Sequence, residues 1–239
     1  MCIRDRANRY NPMKVIDVAT GTADLAIALA KKNQRVQIVG IDISEEMLKI
    51  GDKKIARHEL KARISLTQAP AERLPLPDSS FDLAMVAFGV RNFNSPIEGL
   101  EQIYRTLRDG GRILVLEFTS PMNSFVRVAF GYYFRAILPY IGRLVSGHIN
   151  AYSYLPVSVE KFAERDEFLN LLTEVGFKET SFRTLSFGIV AIYEGHKKKD
   201  LTHPNFVGGG RLRASAFNNK SIILSVQALK GLNFNNRGW

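Results

Sequence analysis

A single cysteine, Cys2, is the entire thiol content of the 239 residues. That excludes an intrachain disulfide framework and any metal site built from several cysteines, and it fits a reducing compartment, so a cytoplasmic location is expected. Histidine is equally sparse: His58, His148, His196 and His203 are dispersed along the chain, and no metal is expected as a cofactor. Long apolar runs are missing as well. The most apolar stretch, Phe125 to Val145, is broken by Arg127, Arg135 and Arg143, short of the roughly 20 uninterrupted apolar residues that a membrane helix needs. Met1 to Lys14 lacks the apolar h-region of a secretory signal. Acidic residues disappear after Asp200, while Arg211, Arg213, Lys220, Lys230 and Arg237 follow it, so half of the net charge of +10 belongs to the tail and residues 1–200 carry +5. That charge is only a weak pointer to nucleic acid, which is not expected as a partner, and is compatible with an anionic membrane surface.

What is present reads as one α/β domain between two unlike ends. Met1 to Arg9 is too short and polar to form a core element, and residues 1–12 are read as a truncated or non-native N-terminus. Residues 199–239 are read as a weakly ordered basic tail, rich in Asn and Gly. Between them, strand-like and helix-like segments alternate. Lys14 to Ala19 is an apolar run ending in a Gly-Thr turn, and Leu25, Ala26, Leu29 and Ala30 recur at helical spacing. Val36 to Ile41 is a second strand, and Ser44 caps a helix that opens with Glu45 and Glu46 and runs to about His58. Further strands are expected at Arg63 to Thr67, Phe81 to Phe88 and Arg112 to Phe118, with a helix over Pro96 to Leu107 stopped by Asp109-Gly110-Gly111. This alternation implies right-handed crossovers and a mostly parallel sheet with helices on both faces. After a helix over Glu160 to Val175, strands at Lys178 to Leu185 and Gly188 to Tyr193 are joined too tightly for a crossover and must pair antiparallel.

The first turn, Asp17-Val18-Ala19-Thr20-Gly21-Thr22-Ala23-Asp24, lies at the carboxyl end of the first strand, where open α/β sheets hold their ligands. A dinucleotide binder would have glycine at 19, 21 and 24, and only Gly21 is there. Asp24, in the first helical turn, would repel a phosphate and suit a cationic ligand. S-adenosylmethionine is such a ligand, with a sulfonium, an ammonium and no phosphate. Asp42 ends the second strand, where a carboxylate can accept both ribose hydroxyls of an adenosine. Gln68-Ala69-Pro70-Ala71-Glu72 follows the third strand and could edge the adenine. Each feature also has a plainer reading: a turn glycine, helix N-terminal acids, an ordinary loop.

Seven blocks in order, DVATGTAD, GIDIS, AERLPLPDSSFD, FGVRN, LRDGGRILVLEF, YSYLPVSVEKF and FGIVAIYEG, resemble the demethylmenaquinone and ubiquinone biosynthesis C-methyltransferase family over about residues 13–198. The resemblance implies a Rossmann-like class I methyltransferase with a seven-stranded, mostly parallel sheet whose last strand is antiparallel. It also implies S-adenosylmethionine as cofactor, S-adenosylhomocysteine as product, and cofactor contacts at Asp17, Gly21, Asp42, Ala71 and Glu72; Thr20 and Asp24, in the same turn, are taken with them. The chain departs from the family's pattern in having Ala23 in place of a second turn glycine, Pro70 in place of Asn, and no helices of the usual kind before the first strand.

Methylation at a ring carbon needs a phenolic hydroxyl that is ionised or nearly so, held with the methyl and sulfur nearly in line. Arg91 and Asn92, after the fourth strand, lie beside the cofactor methyl by topology. A guanidinium is too basic to serve as a general base at neutral pH; the expected role of Arg91 is to stabilise the developing phenolate, with Asn92 orienting the ring oxygen. The plainer reading is a surface arginine and a helix cap. The insertion at residues 121–155 interleaves Phe125, Phe130, Tyr132, Tyr133, Phe134, Tyr140, Tyr152 and Tyr154 with arginines, a composition suited to a prenylated ring and to peripheral contact with the inner face of a membrane. The expected substrate is a prenylated quinol, with demethylmenaquinol favoured by the family's FGIVAIYEG and YLPVSV variants. A homo-oligomer stays open. So do two alternatives: another small-molecule class I methyltransferase, which a panel of quinols would discriminate, and a catalytically impaired cofactor-binding fragment.

Overall fold

Burial on both faces of the central strands decides the architecture. In the computed structural model, which describes residues 3–119 and 165–198, the strands are β1 (Lys14–Val18), β2 (Gln37–Asp42), β3 (Ile64–Gln68), β4 (Phe81–Ala87), β5 (Leu107–Phe118), β6 (Lys178–Leu185) and β7 (Val190–His196). The helices are α1 (Ile3–Arg9), α2 (Asp24–Lys32), α3 (Glu45–Arg57), α4 (Pro96–Thr106) and α5 (Asp166–Val175). Successive strand side chains point to opposite faces, so neighbours divide between two cores. Val15, Ile38, Leu83, Met85, Leu114 and Ile192 pack with Ile3, Ala7, Ala26, Leu29 and Ile55 of α1, α2 and α3. Ile16, Val18, Ala84, Ile113, Val115 and Tyr193 pack with Leu100 and Ile103 of α4 and Phe168 and Leu172 of α5. Helices therefore cover both faces, as expected.

The strand order is β3-β2-β1-β4-β5-β7-β6. The five strands from β3 to β5 pair parallel, and β7 runs antiparallel between β5 and β6. The crossover reverses direction between β1 and β4, since β2 and β3 extend the sheet one way and β4 and β5 the other. Ser44 caps α3 by accepting from the Met47 N–H at 3.3 Å, and Ser95 caps α4 with Pro96 in its first turn. Among the described residues, no helix is long and apolar enough to cross a membrane. The insertion at 121–155 and the tail at 199–239 lie outside the described residues.

Two elements differ from expectation. The Asp109-Gly110-Gly111 segment does not separate helix from strand: β5 begins at Leu107, which already pairs with Phe81, and a register shift between Phe81 and Leu83 absorbs the extra residues. Gly110 sits at φ +76°, and its N–H donates to the Lys197 carbonyl at 2.8 Å, while the Lys197 N–H returns a bond to Gly111. The long strand is thus held from both sides. The other difference is α1. Despite its polarity, the first segment is helical and buries Ile3 and Ala7 against α2.

Long-range charge pairing explains why so short a helix docks. Glu194, buried on β7, accepts two hydrogen bonds from the Arg6 guanidinium at 2.8 and 2.5 Å, one from the Tyr10 hydroxyl and one from Arg112 at 3.0 Å. The Arg112 guanidinium also stacks 4.3 Å from the Tyr10 ring centre. Burial pushes the Glu194 carboxyl up, but the bonds from Tyr10 and Arg6 outweigh it and the net shift is downward. Glu194→Ala should therefore destabilise the protein by about 3 kcal/mol, the low end for removing one partner of a buried pair, because Arg6 and Arg112 retain some access to water. A depressed carboxyl contributes stability above its unfolded value, near 4.5, and loses it as pH falls. The gap between variant and wild type in urea unfolding should accordingly narrow from pH 7 to pH 4. An unchanged urea midpoint at pH 7 would show that α1 is not held through this carboxylate.

Candidate active site

The turns leaving β1 and β4 diverge at the carboxyl edge of the sheet and open a cleft between them. Its walls are Val18, Ala19, Ile41, Asp42, Ile43, Ala69, Pro70, Ala71, Glu72, Gly89, Asn92, Phe93 and Asn94, a concave lining of apolar surface with a few polar groups, as small-molecule sites have. Backbone closeness makes the floor. Ala19 takes the left-handed conformation at φ +54°, and a Cβ placed on Gly89 would lie 2.4 Å from the Ala19 Cβ. No side chain fits at 89 unless the two turns separate.

Asp42 is the organising acid. Its Oδ2 accepts the Gly21 N–H at 2.7 Å and its Oδ1 the Ser44 N–H at 2.9 Å. Gly21 is at φ +56°, a conformation that glycine adopts without the Cβ penalty. The Thr20 N–H meanwhile donates to the Ile41 carbonyl at 2.9 Å. The first turn is therefore laced to the end of β2, and each Asp42 oxygen keeps acceptor capacity beyond its backbone bond.

Asp17 lies beneath the turn, 1% exposed, and accepts from the Thr20 hydroxyl at 2.7 Å. Burial, far outweighing the Thr20 bond, and the neighbouring Asp42 charge push its carboxyl up from 3.8 to about 7. Asp24 is placed differently. Its carboxylate is largely exposed and is held by the Lys54 ammonium at 2.8 Å and the Thr22 hydroxyl at 2.6 Å, and it is not part of the cleft wall. Of the expected site residues, Asp42, Ala71, Glu72 and Asn92 line the cleft; Asp17, Thr20 and Gly21 support it from the turn. Glu72 also fixes the far rim, accepting the Ser95 N–H at 3.2 Å.

Arg91 is neither on the surface nor in the cleft wall. Its side chain is 5% exposed and pairs through Nη1 with Glu117 Oε2 at 2.7 Å, the Glu117 side chain being 1% exposed. The rings of Phe88 and Phe118 lie 5.9 and 5.4 Å from the guanidinium carbon. Glu117 was not singled out by sequence reasoning, although one signal was there: it is the only charge in the run from Ile113 to Phe118.

The lining chemistry tests the cofactor. Among the described residues, the cleft wall holds two carboxylates, Asp42 and Glu72, and no lysine or arginine, so nothing cationic there offsets the repulsion a phosphate would meet. Apolar surface from Ile43, Ala69 and Ala71 flanks the Asp42 acceptors, which suits an adenosine joined to a cationic group. The residues present fit S-adenosylmethionine.

A parallel sheet with this strand order, its antiparallel β7 and a ligand crevice beside β1 define the class I S-adenosylmethionine-dependent methyltransferase fold. A SAM-dependent methyltransferase structure from Thermotoga maritima is similar at a TM-score of 0.53 and 22% identity, covering 77% of this chain and 82% of that one. Residues 2–197 match the profile of the ubiE/COQ5 methyltransferase family, and the chain belongs to that family. The chain is 42% identical over 185 residues to the ubiquinone/menaquinone biosynthesis C-methyltransferase UbiE of Geobacter sulfurreducens, covering 77% of this chain and 72% of that protein. It is 37% identical over 188 residues to the demethylmenaquinone methyltransferase of Bacteroides fragilis, covering 79% and 77%.

The raised Asp17 carboxyl has a measurable sign. Between the ordinary value of 3.8 and about 7 the folded state holds a proton that the unfolded chain has released, so its stabilising contribution is complete below the former and lost as pH rises through the latter. Asp17→Asn removes that slope. Without added cofactor, the variant should match wild type near pH 4 and exceed it in urea midpoint at pH 8. A wild-type advantage at pH 8 would mean that the Asp17 charge is stabilised in the fold.

Proposed function

We propose that this chain transfers the methyl group of S-adenosylmethionine to a ring carbon of a prenylated quinol, converting demethylmenaquinol to menaquinol with S-adenosylhomocysteine as the second product. One observation carries the reading: a cleft lined by carboxylates and apolar surface, with Asn92 on its wall beside the buried Arg91. The names of the relatives supply the acceptor. The activity is assigned to the fold from α1 to residue 198, with the tail after it dispensable.

Asp42 accepts the two ribose hydroxyls with the capacity left on its oxygens, already aimed by Gly21 and Ser44. Ile43, Ala69, Ala71 and Glu72 hold the adenine edge, and Asp17, Thr20 and Gly21 shape the end that takes the amino-acid portion. Asp24, engaged by Lys54, adds negative charge near the start of α2 without touching the ligand. Bound S-adenosylmethionine supplies an electrophilic methyl carbon on a positively charged sulfur. Asn92 orients the acceptor oxygen, and the Arg91 guanidinium offsets the negative charge that builds on it as the ring carbon becomes nucleophilic. Arg91 moves no proton, since a guanidinium paired with a carboxylate stays charged. A polyprenyl acceptor implies collection from a lipid surface, hence peripheral contact with the inner face of the membrane.

Mass spectrometry of quinones from a methyltransferase-deficient host expressing this chain tests the activity directly; accumulation of demethylmenaquinone alone would reject it. Asp42→Ala should weaken S-adenosylmethionine binding by about 1.5–3 kcal/mol, the worth of a hydrogen bond to a charged group. Calorimetry giving wild-type affinity would remove the ribose role, and Asp42→Asn should be milder because one acceptor survives. Arg91→Lys should lower kcat by roughly a hundredfold or more, as for loss of one preorganised donor at a developing oxyanion, while sparing cofactor affinity. Single-turnover methylation of a short-chain demethylmenaquinol at the wild-type rate would take Arg91 out of the mechanism.

A further inference from the structure

Glu117 makes more contacts with one residue than an ion pair requires. Beyond the 2.7 Å bond to Arg91 Nη1, its Oε1 lies 3.4 Å from the Arg91 backbone N–H, and its Oε2 accepts the Phe118 N–H at 3.3 Å. The carboxylate, at the carboxyl end of β5, thus grips both the side chain and the main chain of the short 3-10 turn Val90–Asn92. That turn follows two constrained residues, Phe88 at φ +57° and Gly89 pressed against Ala19, and its last residue, Asn92, forms part of the cleft wall. Arg91 Nε is buried and has no hydrogen-bond acceptor among the described residues. A buried guanidinium N–H left unpaired is costly in a folded protein, and here it belongs to the cation adjoining the cleft.

We propose that Glu117 is a positioning residue for methyl transfer: by taking Nη1 and the backbone N–H of Arg91, it sets the Val90–Asn92 turn so that Asn92 faces the acceptor ring and Arg91 Nε–H remains for the ring oxygen. The inference rests on the quinol methyltransferase reading above and names what holds its two catalytic residues. A buried arginine without a fixed counter-charge would turn toward water or collapse onto the incoming phenolate, pairing with it in the ground state as well as in the transition state; a counter-charge already in place prevents both. Burial pushes the Glu117 carboxyl up, and the Arg91 charge and bonds oppose that without cancelling it, so the guanidinium is what favours the charged carboxylate there. The Phe88 and Phe118 rings, packed on each other at 4.6 Å, both lie against the guanidinium and keep solvent from competing.

The test uses the full chain with Glu117→Gln, Glu117→Asp, Arg91→Lys and the double variant Glu117→Gln/Arg91→Lys. Each is compared with wild type for S-adenosylmethionine affinity by calorimetry, for melting temperature, and for kcat and KM on a short-chain demethylmenaquinol kept reduced. Glu117→Gln should keep cofactor affinity within about threefold and KM nearly unchanged, while kcat falls at least thirtyfold per folded molecule. Glu117→Asp, which retains the charge but shortens the reach, should recover part of that loss. The double variant should be no slower than the worse single variant, since residues acting as one unit are not additive. If Glu117→Gln lowers only the melting temperature, or if the two losses multiply, the carboxylate is merely structural and the proposal fails. Should Glu117→Gln not fold, Glu117→Asp carries the same expectation on its own, and wild-type kcat in that variant overturns it. Wild-type protein that binds S-adenosylmethionine but leaves demethylmenaquinol unmethylated would instead overturn the functional reading, a failure visible before any variant is made.

Discussion

The hydrogen bond from the Gly21 N–H to Asp42 joins the first strand's turn to the second strand's end, and the ligand cleft is organised around it. A parallel sheet by itself leaves its carboxyl-edge turns independent. Here the carboxylate spends one lone pair of each oxygen on a backbone N–H, from Gly21 and from Ser44. It is thereby aimed before any ligand arrives. The left-handed conformations at Ala19, Gly21 and Ala23 are strained for the two alanines, and the interlocked bonds of the turn, including Thr20 to Ile41 and Thr20 to Asp17, hold them in place. Preorganisation of this kind lowers the cost of ordering the site when a ligand binds.

Much of this was legible in the residue pattern, and the reason is local. Strand, turn and helix follow from hydrophobic period and capping, which are short-range properties; the order of the elements then restricts the sheet to a few topologies. Asp42 was legible because an acid at a strand's carboxyl end has few structural uses. What escaped depended on residues distant in sequence. Nothing in the polar segment Ile3–Arg9 announces a docked helix, because its stabilising partner, Glu194, is 188 residues from Arg6. Nothing near Asp24 announces Lys54, which draws the carboxylate away from the cleft. Arg91 was expected on the substrate side with a surface cap as the alternative, and neither option anticipated a partner on the adjacent strand. Propensity and spacing see along the chain, while charge pairing across a sheet does not.

The molecule also separates its charges by depth. Exposed pairs such as Lys49 with Glu45 and Lys61 with Asp52 are the sort that add a few tenths of a kcal/mol. Among the described residues, the buried acids are Asp17 beneath the turn, Glu117 with Arg91, and Glu194 with its arginines and Tyr10. Desolvation acts on all three carboxyls, yet the outcomes differ. Asp17, with only a hydroxyl to help it, is carried to about 7; Glu194, with two guanidinium groups and a phenol, ends below its ordinary value; Glu117, deeper and with one guanidinium, ends above it. Depth and donors act together: the least buried of the three acids, with the most charged donors, is the one whose carboxyl is lowered.

The Glu194 clamp has a consequence for how the chain is made. The first helix emerges from the ribosome long before the strand that holds it, and β7, last of the described strands to be synthesised, is not an edge: it lies between β5 and β6. At about 5–20 residues per second, the interval between Arg6 and Glu194 is on the order of ten seconds or more. During that time α1 has no fixed anchor and the open side of β5 has no neighbour. The nascent protein therefore passes through a stage in which a sticky sheet border is exposed, and the arrival of β7, rather than hydrophobic collapse of the early strands, is the event that closes the sheet.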